Sequence, residues 1–166
     1  MKKNFIIQLI LFMVIVLSCD KEEDIMLDVD LGVGISYIDG LGQDLLDPNN
    51  PNSYDTDQFK IYHYKNGEKV LFQMANLDNP KGYFVFKEAN MEYYRLAISE
   101  PNSYTEEESE EYETLTLLEL SSTETDTINI VIRKGNNFLE TRKVYYNNIL
   151  VWAWEDAKAR NFIIEK

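Results

Sequence analysis

Apolar and polar residues alternate with a period of two along much of the chain after about residue 30. In FKIYHYK at 59–65, this alternation puts Phe59, Ile61 and His63 on one face of a strand. A period of two predicts half-buried β-strands, and no segment of this region keeps a helical repeat for long. The ten strands predicted in this way are 31–38, 58–65, 68–74, 82–87, 91–99, 112–120, 127–134, 138–146, 149–154 and 161–165.

Tight turns separate several of these strands. KNGE at 65–68 is a strong hairpin signal, because Asn and Gly tolerate the positive φ that a two-residue turn needs. KGNN at 134–137 and YNNI at 146–149 predict further tight turns. Short strands with frequent turns indicate an all-β fold, which we expect to be an antiparallel β-sandwich of about eight to ten strands.

The first 18 residues have the order of a secretory signal. Lys2 and Lys3 precede an apolar run from Phe5 to Leu17, and the small residue Ser18 follows it. The run is too short for a transmembrane helix, which needs about 20 apolar residues. We therefore expect residues 1–18 to be removed as a signal peptide.

The only cysteine, Cys19, directly follows this leader. VLSC at 16–19 resembles the lipobox of bacterial lipoproteins, and the resemblance implies cleavage after Ser18 and lipid on Cys19. Two or more acyl chains would hold the protein firmly on a membrane. The alternative is an ordinary signal peptide followed by a reactive or structural cysteine.

An acidic segment follows the cysteine. Its residues Lys21, Glu22 and Glu23 resemble the export signal of Bacteroidetes lipoproteins, which implies an outer-membrane protein that faces the cell surface. A rule from enteric bacteria would instead interpret Asp20 as retention at the inner membrane, and a periplasmic orientation is the other alternative. A plain solvated tether would have the same composition.

The domain organisation follows from these segments. Residues 1–18 form the signal peptide, 19–28 the lipidated cysteine with its acidic tether, and 29–166 a single domain. YIDGLGQDLLDP at 37–48, TDTINIVI at 125–132 and KVYYNNILVW at 143–152 resemble segments of uncharacterised Bacteroidetes surface lipoproteins. This resemblance implies an immunoglobulin-like or transthyretin-like sandwich, and it transfers no activity.

Composition restricts the function. The chain has 29 acidic and 16 basic residues and a net charge of −13, so we expect no nucleic-acid partner. One cysteine and the single histidine, His63, cannot form a usual zinc site, and no nucleophile motif accompanies them. We therefore predict a protein that is not an enzyme. A small hydrolase that uses two carboxylates is an alternative, because it needs no histidine.

Aspartates cluster in the long loop 39–57. Asp39, Asp44 and Asp47 offer hard oxygen ligands and are weak candidates for calcium, the one cofactor that this sequence suggests. Their spacing does not match an EF-hand, and aspartates that form turns would give the same pattern.

Trp152 and Trp154 are two residues apart and are predicted to share one face of a strand. An exposed pair would form a platform for sugar rings, whereas a buried pair would belong to the core. We therefore expect a non-catalytic binding or accessory module for a glycan, a peptide or an envelope protein. A structural subunit of a surface assembly is the alternative.

Overall fold

The computed structural model describes residues 28–65, 67–99 and 110–166, which contain eleven strands. In chain order these are β1 Asp28–Asp30, β2 Val33–Ile38, β3 Lys60–Lys65, β4 Glu68–Leu71, β5 Tyr83–Phe86, β6 Arg95–Ile98, β7 Glu111–Ser121, β8 Glu124–Lys134, β9 Phe138–Tyr146, β10 Ile149–Ala153 and β11 Asn161–Glu165. Two single-turn 3₁₀ helices, Thr56–Gln58 and Trp154–Asp156, are the helical elements of these ranges. The predicted all-β fold is confirmed.

The strands form two sheets. The seven-stranded sheet has the order β1-β9-β8-β7-β3-β4, and β10 also pairs with β9. The four-stranded sheet has the order β11-β2-β6-β5. Most neighbours are antiparallel, as predicted, but β1 pairs with β9 and β11 pairs with β2 in parallel, so both sheets are mixed. Alternation along a strand indicates which face is buried, and it carries no information about the direction of the neighbouring strand.

The two sheets pack face to face around one apolar core. Leu118 and Ile130 of the seven-stranded sheet and Ile35 and Leu96 of the four-stranded sheet are completely buried. Each such side chain contributes roughly 1.5–3 kcal/mol through its removal from water. The alternating residues of the two inner faces therefore hold the sandwich together.

A buried carboxylate, Asp126 of β8, connects the sheets through hydrogen bonds. It accepts a hydrogen bond from Tyr146 of β9, another from Tyr37 of β2 at 3.4 Å, and an ion-paired one from Lys166 at 2.7 Å. Asn147 donates a further bond at 2.9 Å. Burial is the main cause that raises the pKa of both tyrosines well above its ordinary value, so both remain donors.

The predicted turns reverse the chain where expected. Gly67 has a φ of 81°, and Asn147 and Asn148 have φ values of 48° and 67°. The turn between β8 and β9 connects antiparallel strands without a residue of positive φ. In the long loop, Leu45 and Leu46 are buried in the core, so this connection is fixed to the domain.

The first residue that the structure describes, Asp28, already lies in a strand. The predicted tether extended to residue 28, whereas Asp28 already starts β1 and pairs with Phe138. All three residues of β1 are exposed, so this strand has no alternating pattern by which it could have been recognised.

Candidate functional site

A groove of about 410 Å³ lies at one edge of the seven-stranded sheet. Strands β1 and β10 both run along the free side of β9, β1 beside 138–140 and β10 beside 143–146. The groove lies at this edge, which β1 and β10 share. Its principal lining side chains are Asp28, Asp30, Asn137, Phe138, Glu140 and Trp154.

A β-bulge separates the two halves of this edge. The register between β8 and β9 shifts so that Ile132 pairs with Thr141 and Val131 with Lys143, which leaves Arg142 as the extra residue. A bulge changes the direction of a side chain and interrupts the pairing of its strand. The bulge therefore places an arginine beside the groove between the two short neighbouring strands.

Arg142 supports the indole ring of Trp154. Its guanidinium lies over the ring at 5.1 Å from the centroid and forms ion pairs with Glu140 at 3.3 Å and Glu155 at 3.7 Å. A cation over an indole face is attracted by the ring quadrupole. Trp154 remains 45% exposed, and Arg142 does not line the groove, so this contact leaves the groove open.

Most carboxylates of the groove are already neutralised. Glu140 pairs with Arg133 as well as Arg142, and Asp30 pairs with Arg160. By contrast, the side chains of Asp28 and Asn137 have no hydrogen-bond partner among the described residues. The groove thus combines an exposed aromatic ring with one carboxylate and one amide that are free to bind hydroxyl groups.

Trp152 and Trp154 do not form the platform that was one of the two alternatives for this pair. Trp152 is only 7% exposed, and its indole N–H donates to the carbonyl of Lys158 at 2.8 Å. β10 ends at Ala153, and Trp154 begins a 3₁₀ turn, so the alternation stops between the two rings. A register shift between Leu150 and Trp152 also changes the pairing of β10. Trp152 therefore belongs to the core, and Trp154 alone reaches the surface.

The calcium candidates use their carboxylates to form turns. Asp39 accepts the backbone N–H groups of Leu41 and Gln43, and Asp47 accepts that of Asn49. Asp44 accepts backbone N–H groups from two separate segments. Within residues 28–65, 67–99 and 110–166, no group of three or more acidic, histidine or cysteine side chains could hold a metal ion. These aspartates stabilise the loop.

His63 packs beside apolar neighbours, as its position predicted. Its ring lies 5.5 Å from that of Phe72, and Nδ1 is 3.1 Å from the hydroxyl of Thr116. Burial lowers the pKa of His63 to about 4. Among the described side chains, no carboxylate pairs with it, so it lacks the orienting partner of a catalytic base.

Several predictions concern residues outside the described ranges. These are the signal peptide at 1–18, the lipidation site Cys19 and the export signal Lys21, Glu22 and Glu23. Within the described ranges, no helix has the length and apolar character that crossing a membrane would require.

Comparison with other proteins gave no match. No protein-family model, curated protein or solved structure matches this chain. Function must therefore be inferred from the chemistry of the molecule itself.

Sequence reasoning missed most of the groove. Asp28, Asn137 and Arg142 become neighbours of Trp154 through a parallel strand pair and a bulge. Neither feature has a local sequence pattern. Of the residues that line the groove, Trp154 alone was a ligand-binding candidate in the sequence.

Proposed function

We propose that this protein is a lipid-anchored, non-catalytic binding module whose groove beside Trp154 binds a neutral glycan. The observation that carries this proposal is the exposed indole of Trp154 in the wall of a groove of about 410 Å³. Arg142, which does not line the groove, lies over this ring and supports it. An amphipathic aromatic ring can stack on the C–H face of a sugar. Groove volumes of about 300–1,000 Å³ suit small ligands.

The polar groups of the groove support the same ligand class. A neutral sugar has many hydroxyls and no charge, so its binding site needs hydrogen-bond acceptors and donors without a strong local field. Asp28 and Asn137 supply one carboxylate and one amide, while arginines neutralise Asp30 and Glu140. This arrangement favours hydrogen bonding to a neutral molecule.

The same ion pairs argue against hydrolysis. A glycosidase needs one carboxylic acid whose pKa is raised beside a second carboxylate. In this groove Glu140 pairs with Arg133 and Arg142, and Asp30 pairs with Arg160, so these two carboxylates are engaged by arginines and do not form the carboxylate pair of a glycosidase. We therefore favour a binding role over that of a small carboxylate-dependent hydrolase.

The proposed location is the outer membrane, with the domain facing the cell surface. VLSC at 16–19 and the acidic residues after it support this location. Replacement of Cys19 with alanine should release the protein from the membrane fraction and leave its circular dichroism unchanged. A Cys19→Ala protein that stays membrane-bound contradicts lipid anchoring, and resistance of the intact protein to protease on whole cells contradicts surface exposure.

The glycan proposal is tested by calorimetric titration of the full-length chain in detergent micelles. The ligands are neutral oligosaccharides of gluco, manno, galacto and xylo configuration. We expect one of them to bind and Trp154→Ala to weaken that binding at least about tenfold. Ile149→Ala is the matched control, because Ile149 is exposed on β10 and does not line the groove.

Two results would contradict the proposal. One is a panel in which no neutral oligosaccharide binds, which would favour a peptide or an envelope protein as the ligand. The other is glycan binding that Trp154→Ala leaves unchanged, since the glycan would then occupy another surface.

A structural subunit remains the second candidate, because β4 is an exposed edge strand that another chain could extend. However, β4 carries Glu68 and Lys69, and charged side chains on an edge strand hinder such pairing. Copurification of a stable assembly in native detergent would favour the structural role over glycan binding.

A further inference from the structure

A second groove, with a volume of about 480 Å³, is on the four-stranded sheet. It lies on the side of the sheet opposite to the buried residues Ile35 and Leu96. We call it the Arg95 groove. Among its lining side chains are Ser36, Asn90, Tyr93, Arg95 and Asn161.

Arg95 differs from the other three arginines of the chain. Arg133, Arg142 and Arg160 each form an ion pair with a carboxylate. Arg95 forms none with any residue of the described ranges, and its guanidinium lies 6.0 Å from the centroid of the Phe86 ring. In a chain with a net charge of −13, an arginine in a groove without an acidic partner is unexpected.

The backbone below Arg95 is shaped to accommodate its side chain. A Cβ atom on Gly34 of β2 would lie 2.6 Å from Cδ of Arg95 and would also clash with the side-chain oxygen of Asn161. Gly34 does not need a positive φ, so its role is to leave space. The arginine stem and the Asn161 amide therefore lie close to the sheet surface and form the floor of the groove.

Two glutamates restrict the ligand. Glu88 and Glu92 also line the groove, although neither forms an ion pair with Arg95. They would repel a ligand that carries several negative charges, and they can accept hydrogen bonds from hydroxyl groups. Arg95 offers a planar pair of N–H donors that suits one carboxylate. The complementary ligand has a single carboxylate and several hydroxyls.

We propose that the Arg95 groove binds an acidic sugar, with the carboxylate of a uronic acid on Arg95 and its hydroxyls on the surrounding amides and glutamates. This site is separate from the groove beside Trp154 and extends the proposed function, since it lies on the other sheet. Either site can fail its test without affecting the other.

The test is calorimetric titration of the full-length chain in detergent micelles with glucuronate and galacturonate trisaccharides. The corresponding neutral trisaccharides are titrated in parallel. We expect one uronate to bind and Arg95→Gln to weaken its binding at least about tenfold. Arg95→Lys keeps the charge without the planar donor pair, so we expect an intermediate loss. Trp154→Ala should leave uronate binding unchanged.

Lys143→Gln is the matched control, because it removes one positive charge from an exposed position on the other sheet. Gly34→Ala should weaken uronate binding while Arg95 remains present, since the added methyl group displaces the arginine stem. The circular dichroism and the midpoint of urea unfolding show whether each variant is folded.

Three outcomes would overturn the proposal. The first is absence of binding by either uronate, and the second is equal uronate binding by the native chain and folded Arg95→Gln. The third is equal binding of acetate and uronate, which would reveal an ionic contact without recognition of a sugar.

Discussion

The two grooves use arginine in opposite ways. Beside Trp154, the guanidinium of Arg142 lies over the indole ring and is neutralised by Glu140 and Glu155. In the Arg95 groove, the arginine lies on the bare backbone of Gly34 and has no acidic partner among the described residues. The first arginine shapes an aromatic surface, and the second presents its charge to a ligand.

This difference shows how a strongly acidic domain can distinguish ligands. Its overall field repels anions, so binding of an anion requires a cation that the protein's own carboxylates leave unpaired. Binding of a neutral ligand requires instead that the charged side chains of the site are paired with one another. The two grooves therefore predict two ligand classes on one domain.

The largest loss of stability should come from replacing Asp126, because this carboxylate connects the two sheets on which the grooves lie. Asp126→Ala removes the acceptor of Tyr37, Tyr146 and Lys166 in the core, and we expect a loss of about 3–5 kcal/mol in the free energy of unfolding. Urea unfolding measures this change.

The control for this variant is Glu124→Ala. Glu124 pairs with the same lysine but is partly exposed, so its removal should cost about 1 kcal/mol or less. Equal losses in the two variants would show that the buried carboxylate does not connect the sheets as described.

His63, which lines neither groove, should have a smaller effect on stability. Burial lowers its folded pKa to about 4 from the ordinary value of 6.5, so between these pH values the unfolded chain binds the proton more readily. Stability that is present above pH 6.5 is therefore lost as the pH falls towards 4. We expect a contribution on the order of 2 kcal/mol, allowing for partial exposure of the ring.

The measurement compares urea unfolding of the native chain and His63→Gln at several values between pH 7 and pH 4.5. The variant should depend less on pH over this interval, and both chains should bind the same ligands at pH 7. A variant with an unchanged pH dependence would show that His63 does not titrate in this way.

The smallest effect on stability should come from Trp154, whose exposed ring contributes little to the core. Trp152→Phe leaves Trp154 as the only tryptophan, and Trp154→Phe leaves Trp152. We expect acrylamide to quench Trp154 several-fold more efficiently than Trp152, which is 7% exposed. Similar quenching of the two indoles would contradict their separation into surface and core.

Much of the fold was predictable because it depends on local periodicity. Each of the ten predicted strands overlaps an observed strand from β2 to β11. The hairpins at Gly67 and Asn147 were predictable as well, since both residues adopt the positive φ that their residue types tolerate. Burial of one face, and the turns that preserve it, can be inferred from residues close together in the sequence.

The candidate sites were much less predictable. The sequence indicated that Trp152 and Trp154 share a face, but the end of β10 and a register shift separated them. Asp28 is 126 positions from Trp154, and Gly34 is 61 positions from Arg95. Their proximity depends on the parallel pairing of β1 with β9 and on the antiparallel pairing of β2 with β6.

The sequence by itself determined the all-β class, the positions of β2 to β11, the turns and the expectation of a lipid anchor at Cys19, because each depends on a short segment. Tertiary structure alone decided which tryptophan is exposed and which arginine has no acidic partner within residues 28–65, 67–99 and 110–166. The physical reason is that exposure and charge pairing depend on neighbours from distant segments, which periodicity does not identify.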